Sequence, residues 1–245
     1  MRLDSMLDGY LEPLLAGRRQ ECRELVTRAL RLGADPARVY DKILWPAMER
    51  VDELFRDDRI NIAAEHMATR INRALADQLQ TRLPRMDAKG KRVLVMCATD
   101  EPEELGGQMI ADLFEADGWE VYFVGGGVPH DEILSMVGQV RPELLVVYGT
   151  QPSGVPDARK LIDLIRDVGV NPTMNVMVSG GVFNRAGGLW KEINSDLFAP
   201  TAREALDVAN TAEPRTPEIK IPGVPKKKRR RRRRPPLLEQ AANAS

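Results

Sequence analysis

The spacing of apolar residues changes abruptly near residue 91, and that change limits the fold more than any other feature of this 245-residue chain. Upstream, apolar side chains recur at three- and four-residue intervals, the period of helices that bury one face. Downstream they come in short valine-rich runs, "RVLVMCAT", "WEVYFVGGG", "ELLVVYGT", "NVMVSGG" and "DLFAP", separated by segments with helical spacing. Strands that alternate with helices form a parallel sheet with right-handed crossovers, and unbroken apolar strands imply burial on both faces. The expected fold is therefore α/β, with a helical N-terminal part and a five-stranded parallel sheet.

In the helical part, Leu7, Leu11, Leu14 and Leu15 line one stripe, and Cys22, Leu25, Val26 and Leu30 a second. "GADP", residues 33–36, ends the second helix and starts a third, which runs through Val39, Ile43, Leu44, Met48 and Val51 to Leu54 and Phe55. Pro46 lies inside it and should kink it or mark a break. A fourth helix is expected from about Ile60 to Leu83, with Ala63, Met67, Ile71, Leu75 and Leu79 as its buried face. Four such segments with short connections predict a four-helix bundle over residues 1–86. "PRMDAKGK", residues 84–91, reads as a linker to an α/β domain over 91–210.

Charge divides the chain differently. The formal net charge is zero. A run of nine basic residues, Lys226, Lys227, Lys228, Arg229, Arg230, Arg231, Arg232, Arg233 and Arg234, hides an acidic body. Residues 211–245 are rich in proline and charge with few apolar anchors, which predicts a disordered basic tail. Such an arm can hold nucleic acid or an acidic protein surface by counterion release, or fold back on its own acidic body. No apolar run is long enough to span a bilayer, and the N-terminus lacks the pattern of a secretory signal, so a cytoplasmic location is expected. Cys22 and Cys97 stand singly, which argues for reduced packing residues.

The loops after the first, third and fourth strands, "DEPEELGG", "YGTQPSG" and "SGGVFNRAGG", should gather along one sheet edge. A four-helix cap, a linker and an α/β domain with an acidic loop after its first strand resemble the cobalamin-binding modules of methionine synthase, corrinoid carrier proteins and cobalamin-dependent photoreceptor repressors. The resemblance covers roughly residues 1–210 and implies a flavodoxin-like, Rossmann-like sheet. In that family an Asp-x-His-x-x-Gly motif supplies an imidazole to cobalt. Here the register reads Glu101, Glu103 and Gly106, with Glu103 at the histidine position. Carboxylate is a harder, charged oxygen donor than imidazole, and an acidic loop at a helix N-terminus is equally comfortable as a solvated structure.

The family's Ser-x-Leu register reads Tyr148-Gly149-Thr150, and its Gly-Gly pair is Gly180 and Gly181. The resemblance places these residues beside the cofactor's nucleotide tail, where a phenol at position 148 would occupy part of the channel. Photoreceptor-type modules also carry a tryptophan followed, after nine intervening residues, by Glu-His. In this chain Phe55 stands at the tryptophan position, with Glu65 and His66 at the pair. His66 would then ligate cobalt or hydrogen-bond a tetrapyrrole from above. His130, after Pro129 at a helix start, fits a surface or capping role.

These features favour a non-enzymatic sensor or regulatory protein that holds cobalamin, or another tetrapyrrole, between cap and sheet edge. The alternatives are a ligand-free interaction scaffold with a polyanion-binding tail, and a corrinoid methyl carrier. No nucleophile-and-base set or phosphate-binding loop is present in the sequence, and no catalytic residue is assigned.

Overall fold

The computed structural model describes residues 4–98 and 104–217. Four helical segments open the chain: α1 (Asp4–Leu15), α2 (Arg19–Arg31), a continuous third segment, and α5 (Ile62–Gln80). The third comprises α3 (Pro36–Val39), a π-turn at Tyr40–Leu44, and α4 (Trp45–Arg56). Asp35 caps it, its carboxylate accepting from Ala37 N at 3.1 Å. The regular α-helical pattern is interrupted just before Pro46, and the helical path then continues through it. The wider turn before it, closed by Trp45 N donating to Tyr40 O, accommodates the proline, which has no N–H to give and whose ring crowds the preceding turn. The extra residue also turns Tyr40, Ile43, Leu44 and Trp45 inward together, and all four are buried.

The inward face of α5 is Ala68, Ile71, Asn72, Leu75, Ala76 and Leu79. Ala63 and Met67, expected on that face, are exposed instead. The helix has slid out of the bundle over its first turns, and Met67 packs its thioether across Gly17. Inside the bundle, the Tyr10 hydroxyl donates to Asn72 Oδ1 at 2.6 Å, which satisfies the one polar side chain on α5's buried face.

The sheet comprises β1 (Arg92–Cys97), β2 (Glu120–Gly125), β3 (Leu144–Tyr148), β4 (Asn175–Ser179) and β5 (Leu197–Ala199). All pairings are parallel, in the order β2-β1-β3-β4-β5, the flavodoxin-like arrangement. The crossovers are α6 (Glu104–Ala116), α7 (His130–Val140), α8 (Val155–Val168) and the short α9 (Gly181–Arg185) and α10 (Leu189–Glu192). Alternate residues separate two cores. Val93, Val95, Cys97, Leu144, Val146 and Tyr148 join α6 and the helical bundle in one continuous cluster. Leu94, Met96, Leu145, Val147, Val176 and Val178 pack against α7 and α8 in the other.

A final helix, α11 (Ala202–Thr211), packs against α6 and is absent from the strand-and-helix pattern read above. Its signal is present in the sequence all the same: Thr201 accepts from Glu204 N at 3.2 Å, the Thr-x-x-Glu start of a capped helix. The segment 84–91 is bound rather than free. Met86 N donates to Ala116 O and Lys89 N to Gly118 O, each at 2.8 Å. Among the described residues no helix is long and apolar enough to cross a membrane. The basic run 226–234 lies outside the described residues.

Candidate functional site

The strand order reverses between β1 and β3, so their carboxyl ends flank the crevice where open α/β sheets take ligands. The loop after β1, with Glu101 and Glu103, lies outside the described residues. Its flanks are fixed. Ala98 N donates to Tyr148 O at 2.7 Å, and Glu104 opens α6. The Glu104 carboxylate accepts from Gly126 N at 3.4 Å and lies 3.8 Å from the Arg73 guanidinium of α5. Gly125, at φ 69°, makes this approach possible, because a Cβ there would fall 2.6 Å from Glu104 Oε1.

Helix α4 leans over the rim with one face. Met48 reaches Tyr148, Glu49 accepts from Asn184 at 3.4 Å, and Asp52 Oδ2 meets Arg185 Nη1 at 3.1 Å. Arg185 also donates to the Thr150 carbonyl. Gly181 admits that guanidinium, since a Cβ would lie 2.6 Å from Nη1. Phe55 follows Asp52 by three residues on the same helix face and is 37% exposed.

On α5, Glu65, Thr69, Arg73 and Asp77 form one stripe. Asp77 accepts from Gln108 of α6 at 2.6 Å, Arg73 meets Glu104, and Thr69 donates to Glu65 at 2.9 Å. From Arg73 back to Glu65 is roughly 12 Å of helix beyond the contact with α6. His66 stands there with half its side chain exposed and Nε2 3.5 Å from Glu65 Oε2. The same stretch of α5, with Gly17 and Arg19, lines an open groove of about 710 Å³. The exposed Phe55 and Ile62 thus lie at the same end of the cap as His66.

Tyr148 ends β3 and is 2% exposed. Its ring is held from four sides. A Cβ on Gly106 would fall 2.1 Å from Tyr148 Cζ, and one on Gly180 would fall 2.9 Å from Cε2. Trp45 meets the ring edge-on at 6.0 Å, and Met48 Sδ lies 3.9 Å from the hydroxyl. Beside it on β4, Ser179 is fully buried, and its hydroxyl has no hydrogen-bond partner among the described residues.

A second polar junction ties cap to sheet domain. The Tyr40 hydroxyl lies 2.7 Å from Ala76 O and 2.9 Å from Asp112 Oδ2. It has one proton and two acceptors, so both contacts are hydrogen bonds only when Asp112 carries a proton of its own. Burial pushes that carboxyl up to about 7, and the nearby Glu115 and Asp77 add to the rise.

Glu65 and His66 lie side by side in the groove on α5, Phe55 is exposed near the end of α4, and Gly106, Tyr148 and Gly180 form one packed cluster at the rim. Gly181 and Thr150 belong with Arg185, which lies in a rim loop but is not among the residues singled out from the sequence, and neither are Arg73, Glu104, Tyr40 and Asp112. Glu104 carried a signal as the first residue of a helix after an acidic loop, and Arg185 one as the cation of a rim loop. His130, the first residue of α7 after β2, contacts Asp157 Oδ2 in the first turn of α8 at 3.0 Å, at the sheet's carboxyl edge on the face opposite the bundle. No cluster of three or more metal-ligating side chains exists among the described residues.

Comparison with known proteins agrees with this architecture. Models described as B12 binding domains match residues 6–80 and 91–221. Dimethylamine corrinoid protein 1 of Methanosarcina acetivorans is 23% identical over 175 residues, covering 70% of this chain and 81% of that protein. Trimethylamine corrinoid protein of Methanosarcina barkeri is 21% identical, covering 75% and 85%. The monomethylamine corrinoid protein of Methanosarcina barkeri superposes with a TM-score of 0.75 at 18% identity over 84% of this chain and 97% of its own. With a helical cap and a flavodoxin-like sheet each matched over most of its length, the chain belongs to the B12-binding domain family, and cobalamin is the cofactor that family binds.

Proposed function

We propose that this protein is a corrinoid carrier: it holds the macrocycle between the start of α5 and the sheet rim and presents it to a separate protein. The observation that carries this reading is the overhang of α4 and α5, where Phe55, Ile62 and His66 leave apolar surface and a ring nitrogen exposed. A flat, largely apolar macrocycle suits such a surface, whereas the space beside β3, filled by Tyr148, does not suit a nucleotide tail. The relatives named as methylamine corrinoid proteins support a carrier over the sensor that the sequence alone favoured. When bound, the corrinoid supplies the one-carbon carrier chemistry, and the chain's residues bind, orient and shield it. No residue of the chain is assigned a catalytic role.

The sensor remains a second reading because of the spacing of Phe55, Glu65 and His66, which is that of the photoreceptor-type cap. In that case ligand would loosen the ties Asp52–Arg185 and Arg73–Glu104 and change the scattering envelope of the protein.

The test is to mix purified protein with hydroxocobalamin, adenosylcobalamin, haem and biliverdin, desalt, and record absorption spectra. Retained corrin absorbance is expected, weakened in Phe55→Ala and His66→Ala. Protein that stays colourless with both corrinoids refutes the carrier, and protein that stays colourless with all four ligands refutes the sensor as well and leaves the interaction scaffold.

A further inference from the structure

Tyr148 ends β3 at the β1/β3 reversal, where the sheet's carboxyl edge faces the cap. Two glycines that a ligand channel would require serve the tyrosine instead. Any side chain at 106 would collide with Cζ and Oη, and one at 180 with Cε2 and with Gly149 O at 2.3 Å. Trp45 and Met48 close the ring from the cap side. The ring is therefore not a side chain resting in an empty channel. It is part of the core that joins bundle to sheet, in the same cluster as Leu105, Met109 and Val146. Displacing it would uncover Trp45 and leave a cavity between two packed layers, which is costly in a close-packed interior.

The coordination chemistry agrees independently. The chain has two histidines. His130, at the start of α7 beyond the carboxyl end of β2, is engaged with Asp157 on the sheet face opposite the bundle, and His66 lies on α5, on the cap side of the crevice. The loop that follows β1 carries no histidine to take the place of a corrinoid's own nitrogen base, and carboxylate is a poor substitute for it on cobalt.

We infer that this protein holds its corrinoid with the nucleotide tail outside the protein, so that the tail's base stays on the cobalt and tail-less corrinoids bind equally well. Tyr148 is the specificity-determining residue, through the volume its ring fills. This inference rests on the carrier reading for the presence of the corrinoid, but it makes a separate claim about the corrinoid's form.

The experiment uses the full chain with two probes, cob(II)alamin and cob(II)inamide. Paramagnetic resonance of bound cob(II)alamin should keep the threefold nitrogen splitting of a base-on cobalt, in the wild type and in His66→Ala/His130→Ala, where no histidine remains to supply that nitrogen. Dissociation constants for cobalamin and cobinamide should agree within about fivefold, whereas a buried tail would give cobalamin an advantage of about a hundredfold or more. Tyr148→Ser should shift the ratio toward cobalamin. Loss of the nitrogen splitting in either protein, or a strong wild-type preference for cobalamin, overturns the inference while leaving the carrier reading intact. Failure of the wild type to bind either probe overturns both.

Discussion

Replacing Asp112 by asparagine should make the protein more stable at pH 8 and leave it nearly unchanged at pH 4. In the folded state the carboxyl is 5% exposed and shifted upward from 3.8 to about 7. The unfolded chain releases its proton near pH 4, and the folded chain holds it to near pH 7. Between those values the folded state binds more protons, so stability falls as pH rises and levels off above pH 7. At 1.36 kcal/mol per pH unit, the span from 3.8 to about 7 amounts to about 4 kcal/mol. The Asp112→Asn substitution removes this titration and keeps the geometry: the new side-chain amide donates to the Tyr40 oxygen while the Tyr40 hydroxyl donates to Ala76 O. Urea titrations of both proteins at pH 5 and pH 8, followed by circular dichroism, should show wild type losing about 3 kcal/mol relative to Asp112→Asn across that interval. Parallel pH profiles for the two proteins would refute the assignment of a proton to this junction.

Three further outcomes follow from the same contacts. Tyr40→Phe leaves Asp112 and Ala76 O without their buried partner and should cost about 1–3 kcal/mol, read as a lower urea midpoint. Gly106→Ala should destabilise by more than about 2 kcal/mol, and most of that loss should vanish in Tyr148→Ser, a coupling measured by a double-mutant cycle. Deleting residues 226–234 should abolish a salt-sensitive retention on nucleic acid; unchanged retention would remove the tail from any polyanion role.

Periodicity alone determined the α/β class, the order of helices before strands and the parallel five-stranded sheet, because helix and strand spacing are properties of consecutive residues. The turn structure around Pro46 was ambiguous in sequence, since whether a proline kinks, breaks or is absorbed depends on how the preceding turn packs. Ala63 and Met67 continued the apolar stripe of α5 yet lie outside the core, because the bundle ends before the helix does. Phe55, Glu65 and His66 stand out in the sequence by their spacing, and the structure sets Glu65 and His66 next to each other on α5 and leaves Phe55 exposed on α4. Gly180 and Gly106 were legible as glycines but not in their purpose: residues far apart in sequence converge on Tyr148, and only the tertiary structure shows that the room they make is already filled. The same holds for Asp112, Arg73 and Arg185. Each looks like ordinary surface charge in sequence, and each acquires its partner, and in the case of Asp112 its altered proton affinity, only when cap and sheet are packed together.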